Sequence, residues 1–461
     1  MFRAARTAIL TKVKLAAIAA LVLAAAAAGA REARATPIAD ISVEDNRKTT
    51  EETILVIARI EVGDDWSPED IDLVTQRLKN TGLFSEVNVY TEDVQGGVRV
   101  HLIVKDKHSW VIAPAVYDQP TNKGGGVGYG ENNLFGKNQK VLLYGQVATG
   151  DSFFVGAFVD PSLFGTRLRM QADVYLASSR VIEYAPPHAW IDDPKPVRQS
   201  RLDYLNTGLK LGARLWGKTF FDVRLRGAHV SYADVALADG ATLAQTTTDP
   251  TATAPPAPGK PGWDVSAEYF LGVDTRASWQ GISEGHKLVA MLEESVKALG
   301  SDFTYWDATL SAERATRIFE SHDLVLKGQF AIGHDLPFEQ EFTSGGTSMR
   351  GYLNAQLRGD FQLAGTAEYS VPLFDVHGLA VRGLAFWDTS YTTFVDKETG
   401  DTFRNYLPGS EARGLDPFKN SVGVGTRLYL QQIVLPLLGL DFGYGVERGD
   451  FEIYLAIGLT D

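Results

Sequence analysis

The sequence predicts a small α+β domain followed by an all-β transmembrane barrel of about 16 antiparallel strands. Three observations carry that expectation. Helical spacing of apolar residues is confined to a short N-terminal region flanked by strand patterns. From Ser109 to Asp461 the chain then runs strand after strand of alternating apolar and polar residues, broken by Gly, Asn, Asp and Pro clusters. A leader of secretory type precedes both parts.

The leader is read over residues 1–35. Arg3, Arg6, Lys12 and Lys14 form a basic region, an apolar run follows from Leu15, and small residues offer cleavage after Ala30 or Ala35. No later stretch is long and apolar enough for a membrane-spanning helix. Ile433–Leu440 comes nearest, and it contains Pro436.

Residues 36–107 read as strand, helix, helix, strand, strand. Ile41 and Val43 alternate with polar neighbours. Thr50, Glu51 and Glu52 open a helix that carries Ile54, Ile57 and Ala58. Ser67 as N-cap, Pro68 at the first helical position and Asp70 open a second helix with Ile71, Val74 and Leu78 on one face, and Gly82 ends it. Val87 and Val89, then Val98, Val100, Leu102 and Val104, have period two, with a hairpin turn at Gln95–Gly97.

Residues 108–461 make the barrel. Leu168, Met170, Ala172, Val174 and Leu176 alternate with Arg167, Arg169, Gln171 and Asp173; Phe361, Leu363, Ala367, Tyr369 and Val371 alternate with Gln362, Thr366, Glu368 and Ser370. Alternation alone also fits a soluble sandwich. Long segments, their unbroken succession and the leader favour a barrel with lipid-facing and lumen-facing residues in turn. Asp239–Gly262, rich in Ala, Thr and Pro, is read as a disordered extracellular loop.

One stretch departs from the alternation: Phe342-Thr-Ser-Gly-Gly-Thr-Ser-Met-Arg-Gly-Tyr352. Gly345, Gly346 and Gly351 favour a tightly folded loop, and Arg350 offers five donors on a fork that stays charged. A solvated surface turn is the plain alternative.

Other chemistry is thin. A net charge of −13 argues against nucleic acid as a partner, and the absence of cysteine excludes disulfides and thiolate metal sites. The eight histidines have no metal-ligand spacing. The glycine run Gly124–Gly130 lies between strands with no helix after it, which fits a barrel strand rather than a phosphate loop. No catalytic residue, cofactor or metal is assigned, and the chain is read as a non-enzyme.

Residues 36–107, with Asn46-Arg-Lys-Thr49, Gly63-Asp64 and Leu78-Lys-Asn-Thr-Gly-Leu-Phe-Ser-Glu-Val-Asn-Val89, resemble a POTRA domain. After it, Asn132-Asn-Leu-Phe-Gly-Lys137, Asp160-Pro-Ser-Leu-Phe-Gly165, Asp274-Thr-Arg276, Phe386-Trp-Asp388 and Ser421–Arg427 follow in the order found in the BamA/TamA outer-membrane assembly superfamily, which carries a surface-antigen barrel. The chain departs from that pattern in ending Gly458-Leu-Thr-Asp461 and in having Ser390 where a glycine is usual.

The resemblance implies that Phe342–Tyr352 folds into the lumen and that Arg350 pairs with acidic residues on neighbouring strands, by position Glu368 and Asp388. The alternation agrees, since Glu368 opposes Tyr369 in phase and Asp388 opposes Trp387. It further implies insertion or translocation of other proteins at the bacterial outer membrane, with the POTRA domain in the periplasm. A client strand would dock on the POTRA sheet edge and on the seam between first and last strands. The implied partners are unfolded outer-membrane or secreted proteins and the lipid bilayer, with periplasmic chaperones or accessory lipoproteins as further candidates. A dedicated secretion pore for one substrate, and a structural or passive channel surface protein, stay open as alternatives.

Overall fold

The computed structural model describes residues 36–457 apart from 120, 186–194, 217, 248, 280–281, 320, 377–378, 396–417 and 431–435. The leader read over 1–35 lies outside the described residues.

The N-terminal domain comprises β1 (Thr36–Glu44), α1 (Glu51–Ala58), β2 (Asp65–Trp66), α2 (Glu69–Lys79), β3 (Phe84–Val94) and β4 (Gly97–Asp106). Its sheet order is β2-β1-β4-β3, with β1 parallel to β4. The period-two residues Val98, Val100, Leu102 and Val104 face the helices and meet Ile54, Ala58, Val74 and Leu78 in one core. Each such valine, leucine or isoleucine side chain contributes roughly 1.5–3 kcal/mol by leaving water. Thr50 caps α1 as its sequence predicts, accepting from the Thr53 N–H at 3.2 Å. Ser67 does not act as an accepting cap; its N–H and hydroxyl both donate to Asp70 at 2.8 Å, and α2 starts at Glu69. The two-residue β2 was not foreseen, because a pair too short for alternation leaves no period.

The barrel comes next: β5 (Trp110–Gln119), β6 (Asn122–Leu134), β7 (Gln139–Ala148), β8 (Asp151–Asp160), β9 (Leu168–Ala185), β10 (Lys195–Arg214), β11 (Thr219–Leu237) and β12 (Gly262–Asp274). Then come the short β13 (Ala277–Trp279), β14 (Ile282–Ser295), β15 (Tyr305–Ile318) and β16 (His322–His334). Two short strands, β17 (Phe342–Ser344) and β18 (Leu357–Gly359), pair with each other and, among the described residues, with no wall strand. The wall resumes with β19 (Phe361–Val376), β20 (Leu379–Thr393), β21 (Lys419–Leu430), β22 (Pro436–Gly445) and β23 (Asp450–Ile457). β12 and β13 both pair with β14 in succession, so they form one stave, and the closed antiparallel wall has 16.

The alternation resolves as outward apolar and inward polar. Leu168 and Leu176 are 48% and 44% exposed on the outer face. Their alternating neighbours Arg169 and Asp173 pair inside with Asp222 and Arg224. A soluble sandwich would invert this arrangement. No helix among the described residues is long and apolar enough to cross a membrane.

Connections on the N-domain side are short, such as 135–138 and 161–167, whereas the far side carries 238–261 and 335–360. The first corrects the reading of 239–262 as disordered. Thr242 and Gln245 form a capping box over a short 3-10 turn, and Thr246 and Thr247 are buried. Arg198 donates to the Pro256 carbonyl at 2.7 Å. The composition supplies no core of its own, but the long strands β10 and β11 supply the donors and walls that order it.

The N-domain docks on the turn after β6. The Thr50 N–H donates to the Gly136 carbonyl at 3.1 Å, Lys48 reaches Glu131 at 2.9 Å, and Asn133 donates to the Thr49 hydroxyl at 2.8 Å. Gly136 has φ +72, and a Cβ there would collide with the Lys48 carbonyl. The Asn132–Lys137 motif is therefore a docking turn.

Asp106 is the hub behind this dock. It accepts from the N–H groups of Arg47 at 2.7 Å and Lys48 at 2.8 Å, and from the Thr49 hydroxyl. Burial pushes its pKa up, but these hydrogen bonds outweigh burial and hold it below its ordinary value. A folded pKa below the unfolded one gives stability that is present above the ordinary carboxyl pKa of about 4 and is lost as pH falls through the folded value. Protection of the Arg47–Thr50 amides, measured as exchange relative to the intrinsic rate at each pH, is expected to fall on acidification below that point. In Asp106→Asn protection is expected to be low already at neutral pH, with no acid step.

Candidate functional site

The segment between β16 and β19 folds back into the barrel. β17 and β18 form its stem, and Met349, Tyr352 and Leu357 pack together as its own small core. Gly345 has φ +126, where a Cβ would collide with the Leu353 carbonyl, and Gly346 has φ +64. These backbone angles exclude most other residues and close the tip, which a Gly346 N–H to Tyr352 carbonyl bond of 3.0 Å completes.

The tip presents Arg350 to the wall. Its Nε donates to Asp388 Oδ2 at 2.9 Å and its Nη2 to Asp388 Oδ1 at 3.0 Å, a bidentate pair. Nη1 reaches Glu368 at 3.2 Å and Asp441 at 3.3 Å, and the backbone N–H of Arg350 also donates to Asp388 at 3.2 Å. The guanidinium lies 3.3 Å from the centre of the Phe386 ring, which closes its remaining face. Arg427 shares Asp441 at 2.5 Å, so two cations face three carboxylates on β19, β20 and β22. Asp388 is 2% exposed, and a charge buried that deeply is tolerable only when paired.

Gly351 continues the fit. Its N–H donates to the Tyr454 hydroxyl at 3.1 Å, and that hydroxyl donates on to the Tyr352 carbonyl at 2.9 Å. A Cβ on Gly351 would lie 2.5 Å from the Gly445 nitrogen, and one on Gly443 would lie 2.7 Å from the Gly351 nitrogen. Backbone meets backbone here, which only glycine allows. The Tyr352 hydroxyl donates to Glu447 at 2.6 Å, and Arg448 donates to the Gly351 carbonyl at 3.2 Å. The tip is thus fastened to the last hairpin, β22 and β23.

The root of the segment is held on the opposite wall. Tyr232 of β11 donates to Glu339 at 2.9 Å, Gln340 donates to Asp264 of β12 at 3.2 Å, and the Phe338 ring stands edge-on to Tyr232 at 6.0 Å. Arg358 bonds Glu341 at 2.9 Å within the segment. The loop therefore bridges the lumen from β11 and β12 to β20, β22 and β23.

Gly345, Gly346, Arg350, Gly351, Tyr352, Glu368 and Asp388, singled out from sequence, all meet at this one site. Sequence reading missed Phe386, Asp441, Tyr454, Glu447 and the Tyr232–Glu339 anchor. Asp441 left one usable signal, as an acid in the lumen phase of Leu440-Asp-Phe-Gly-Tyr-Gly445. Among the described residues no group of three His, Asp or Glu side chains is placed to hold a metal.

Tyr454→Phe tests the tip contact alone. It leaves a buried N–H and carbonyl without their shared partner, a loss of about 1–3 kcal/mol. Protease cleavage within 345–353 is expected to rise while the folded barrel still resists heat denaturation on gels.

At the seam, β23 and β5 pair over three residues among those described: Leu455 with Asp118, Ala456 with Tyr117 and Ile457 with Val116. On their other sides β23 pairs with β22 from Asp450 to Ile457, and β5 pairs with β6 from Trp110 to Gln119. In the N-domain, β3 is the outer strand of its sheet, and among the described residues nothing pairs with its free side.

These features define a transmembrane β-barrel with an appended α+β domain, an inward-folded loop and a seam between its first and last strands. The Omp85 superfamily domain matches residues 133–459, and the chain belongs to that superfamily. Residues 36–107 match the POTRA family described as the surface antigen variable number repeat. No curated protein sequence matches the chain.

The fold is similar to that of BamA from Haemophilus ducreyi lacking POTRA domains 1–3, with TM-score 0.59 and 15% identity over 94% of this chain and 85% of that one. CdiB from Acinetobacter baumannii is similar with TM-score 0.60 and 13% identity over 92% and 74%. CdiB from Escherichia coli is similar with TM-score 0.54 and 12% identity over 94% and 92%. Members of the superfamily are non-enzymatic, and homologues of this type are outer-membrane proteins with periplasmic POTRA domains.

Proposed function

We propose that this protein resides in the bacterial outer membrane, with its POTRA domain in the periplasm, and inserts or translocates other proteins there. The observation that carries the reading is the seam itself, where the last strand β23 closes the wall on the first, β5. A barrel wall normally has no edge, because every strand is paired along its length. Parting β5 from β23 would free two such edges. An extended client strand satisfies those edges by pairing, and its own alternation sets its register. The free side of β3 offers an earlier template of the same kind, in the strand-addition mode of peptide recognition. No covalent chemistry is required. The clients are unfolded outer-membrane or secreted proteins, with periplasmic chaperones or accessory lipoproteins as delivering partners.

The loop across the lumen argues against a passive channel, since its anchors on both walls occupy the conduction path. The test is insertion of an unfolded barrel protein into liposomes with and without the purified protein, beside Arg350→Ala and POTRA-deleted versions. Acceleration that both versions lose is the expected result. No acceleration together with steady ion conductance would overturn the insertase reading in favour of a secretion pore or passive channel.

A further inference from the structure

Three phenylalanines occupy backbone positions that phenylalanine rarely takes. Phe135, Phe164 and Phe319 have φ of +55, +54 and +49. A bulky side chain in the left-handed region is strained, and glycine or asparagine would serve these turns at lower cost. All three are also among the most exposed apolar residues of the protein, at 75%, 87% and 78%. Each sits in a different short turn, between β6 and β7, β8 and β9, and β15 and β16, and all three turns lie on the N-domain rim. In water this placement is unfavourable twice over, through strain and through exposure.

The outward face of the barrel runs into this rim. Phe319 meets His322 edge-on at 5.8 Å, and His322 bonds the Tyr369 hydroxyl at 2.6 Å. His322 alternates with the lumen residue Asp323 and shares its phase with Leu326, which is 45% exposed on the outer wall. The Phe319 ring therefore continues the apolar belt. Phe135 and Phe164 are each succeeded by a glycine set against the N-domain. Gly136 abuts the Lys48 carbonyl, and a Cβ on Gly165 would lie 3.6 Å from Val56, so both turns also touch that domain.

We infer that Phe135, Phe164 and Phe319 insert into the headgroup–acyl boundary of the lipid leaflet on the N-domain side. The first two thereby hold that domain at a fixed height beneath the barrel. Aromatic rings are favoured at this boundary, where the ring leaves water while the turn backbone stays hydrated. The inference rests on the membrane placement proposed above, not on the handling of clients.

The chain has no cysteine, so single labels are clean. Phe135→Cys, Phe164→Cys and Phe319→Cys would each carry the fluorophore NBD in phosphatidylethanolamine–phosphatidylglycerol vesicles, with nitroxide lipids labelled near the headgroup or deep in the acyl chain. Leu176→Cys marks mid-wall, and Val62→Cys, on an exposed N-domain residue, marks water. Turn probes are expected to be quenched more by the shallow nitroxide than by the deep one and to lose quenching by aqueous iodide. If they behave like the Val62 probe while the Leu176 probe is quenched by deep nitroxide, membrane placement stands and the anchoring is wrong. If the Leu176 probe also stays unquenched, both fall. A phospholipid with a photoactivatable group near its headgroup reads the unsubstituted protein. Adducts on the peptides carrying the three phenylalanines support the inference, and adducts confined to the strands overturn it.

Discussion

Arg350→Ala is expected to detach the loop tip from the barrel wall and to abolish the activity of the protein. The substitution removes the bidentate cation from Asp388, which is 2% exposed, and takes from Asp441 one of the two arginines that grip it. Removing one partner of a buried ion pair typically costs about 3–5 kcal/mol, mostly because the stranded charge stays buried. The fork also stacks on Phe386, so a lysine cannot replace it: one ammonium can neither grip Asp388 with two parallel bonds nor cover the ring. Arg350→Lys is therefore expected to fall nearer to alanine than to the wild type. Limited proteolysis within 345–353 and heat-modified gel mobility measure the detachment; the liposome assay measures the activity. The root anchor at Tyr232 and Glu339 keeps the segment inside the barrel, so the wall itself is expected to stay closed. Unchanged proteolysis, mobility and activity would show that the arginine does not pin the loop.

How far this site could be read beforehand depends on the kind of information each part needs. Glu368 and Asp388 stand out because alternation fixes which face of a strand a residue takes, and both are acids in the inward phase. The strand count and the N-domain order rest on the same periodicity. Asp441 and Tyr454 lie on β22 and β23, about ninety or more positions after Arg350 in sequence, and meet it only because the sheet closes into a barrel. Locally that meeting is marked by the lumen phase of Asp441 and by the glycines Gly443 and Gly445, whose missing side chains make room for Gly351. The 239–262 segment misled for the opposite reason. Its composition is that of disorder, yet the order comes from Arg198 and the rising walls of β10 and β11, which composition does not report. Phe135 and Phe164 sat within recognised motifs, but their left-handed backbone and exposure became visible only in the structure.

Locking the seam separates the remaining functions more sharply than any substitution inside the loop. Asp118 and Leu455 are register partners on β5 and β23, and a cysteine at each position would place two thiols across the seam. The cost at Asp118 is small, because the surface pair it loses with Lys123 is of the kind worth about 0–1 kcal/mol. The absence of other cysteines means that the oxidised product has a single possible intramolecular bridge. Under the proposed mechanism a client needs the edges of β5 and β23, so oxidation is expected to bring insertion down to the spontaneous rate and reduction to restore it. Each single-cysteine variant is expected to retain activity under both conditions. A protein that passes substrate through the lumen needs those edges for nothing, and its transport would persist in the locked form. Arg350→Ala and the lock therefore act on different steps. The substitution releases the loop that holds the last hairpin from within through Tyr454, whereas the bridge joins that hairpin to β5 from the other side. If the seam is the site of insertion, the bridge should silence the protein even while the loop remains fully pinned.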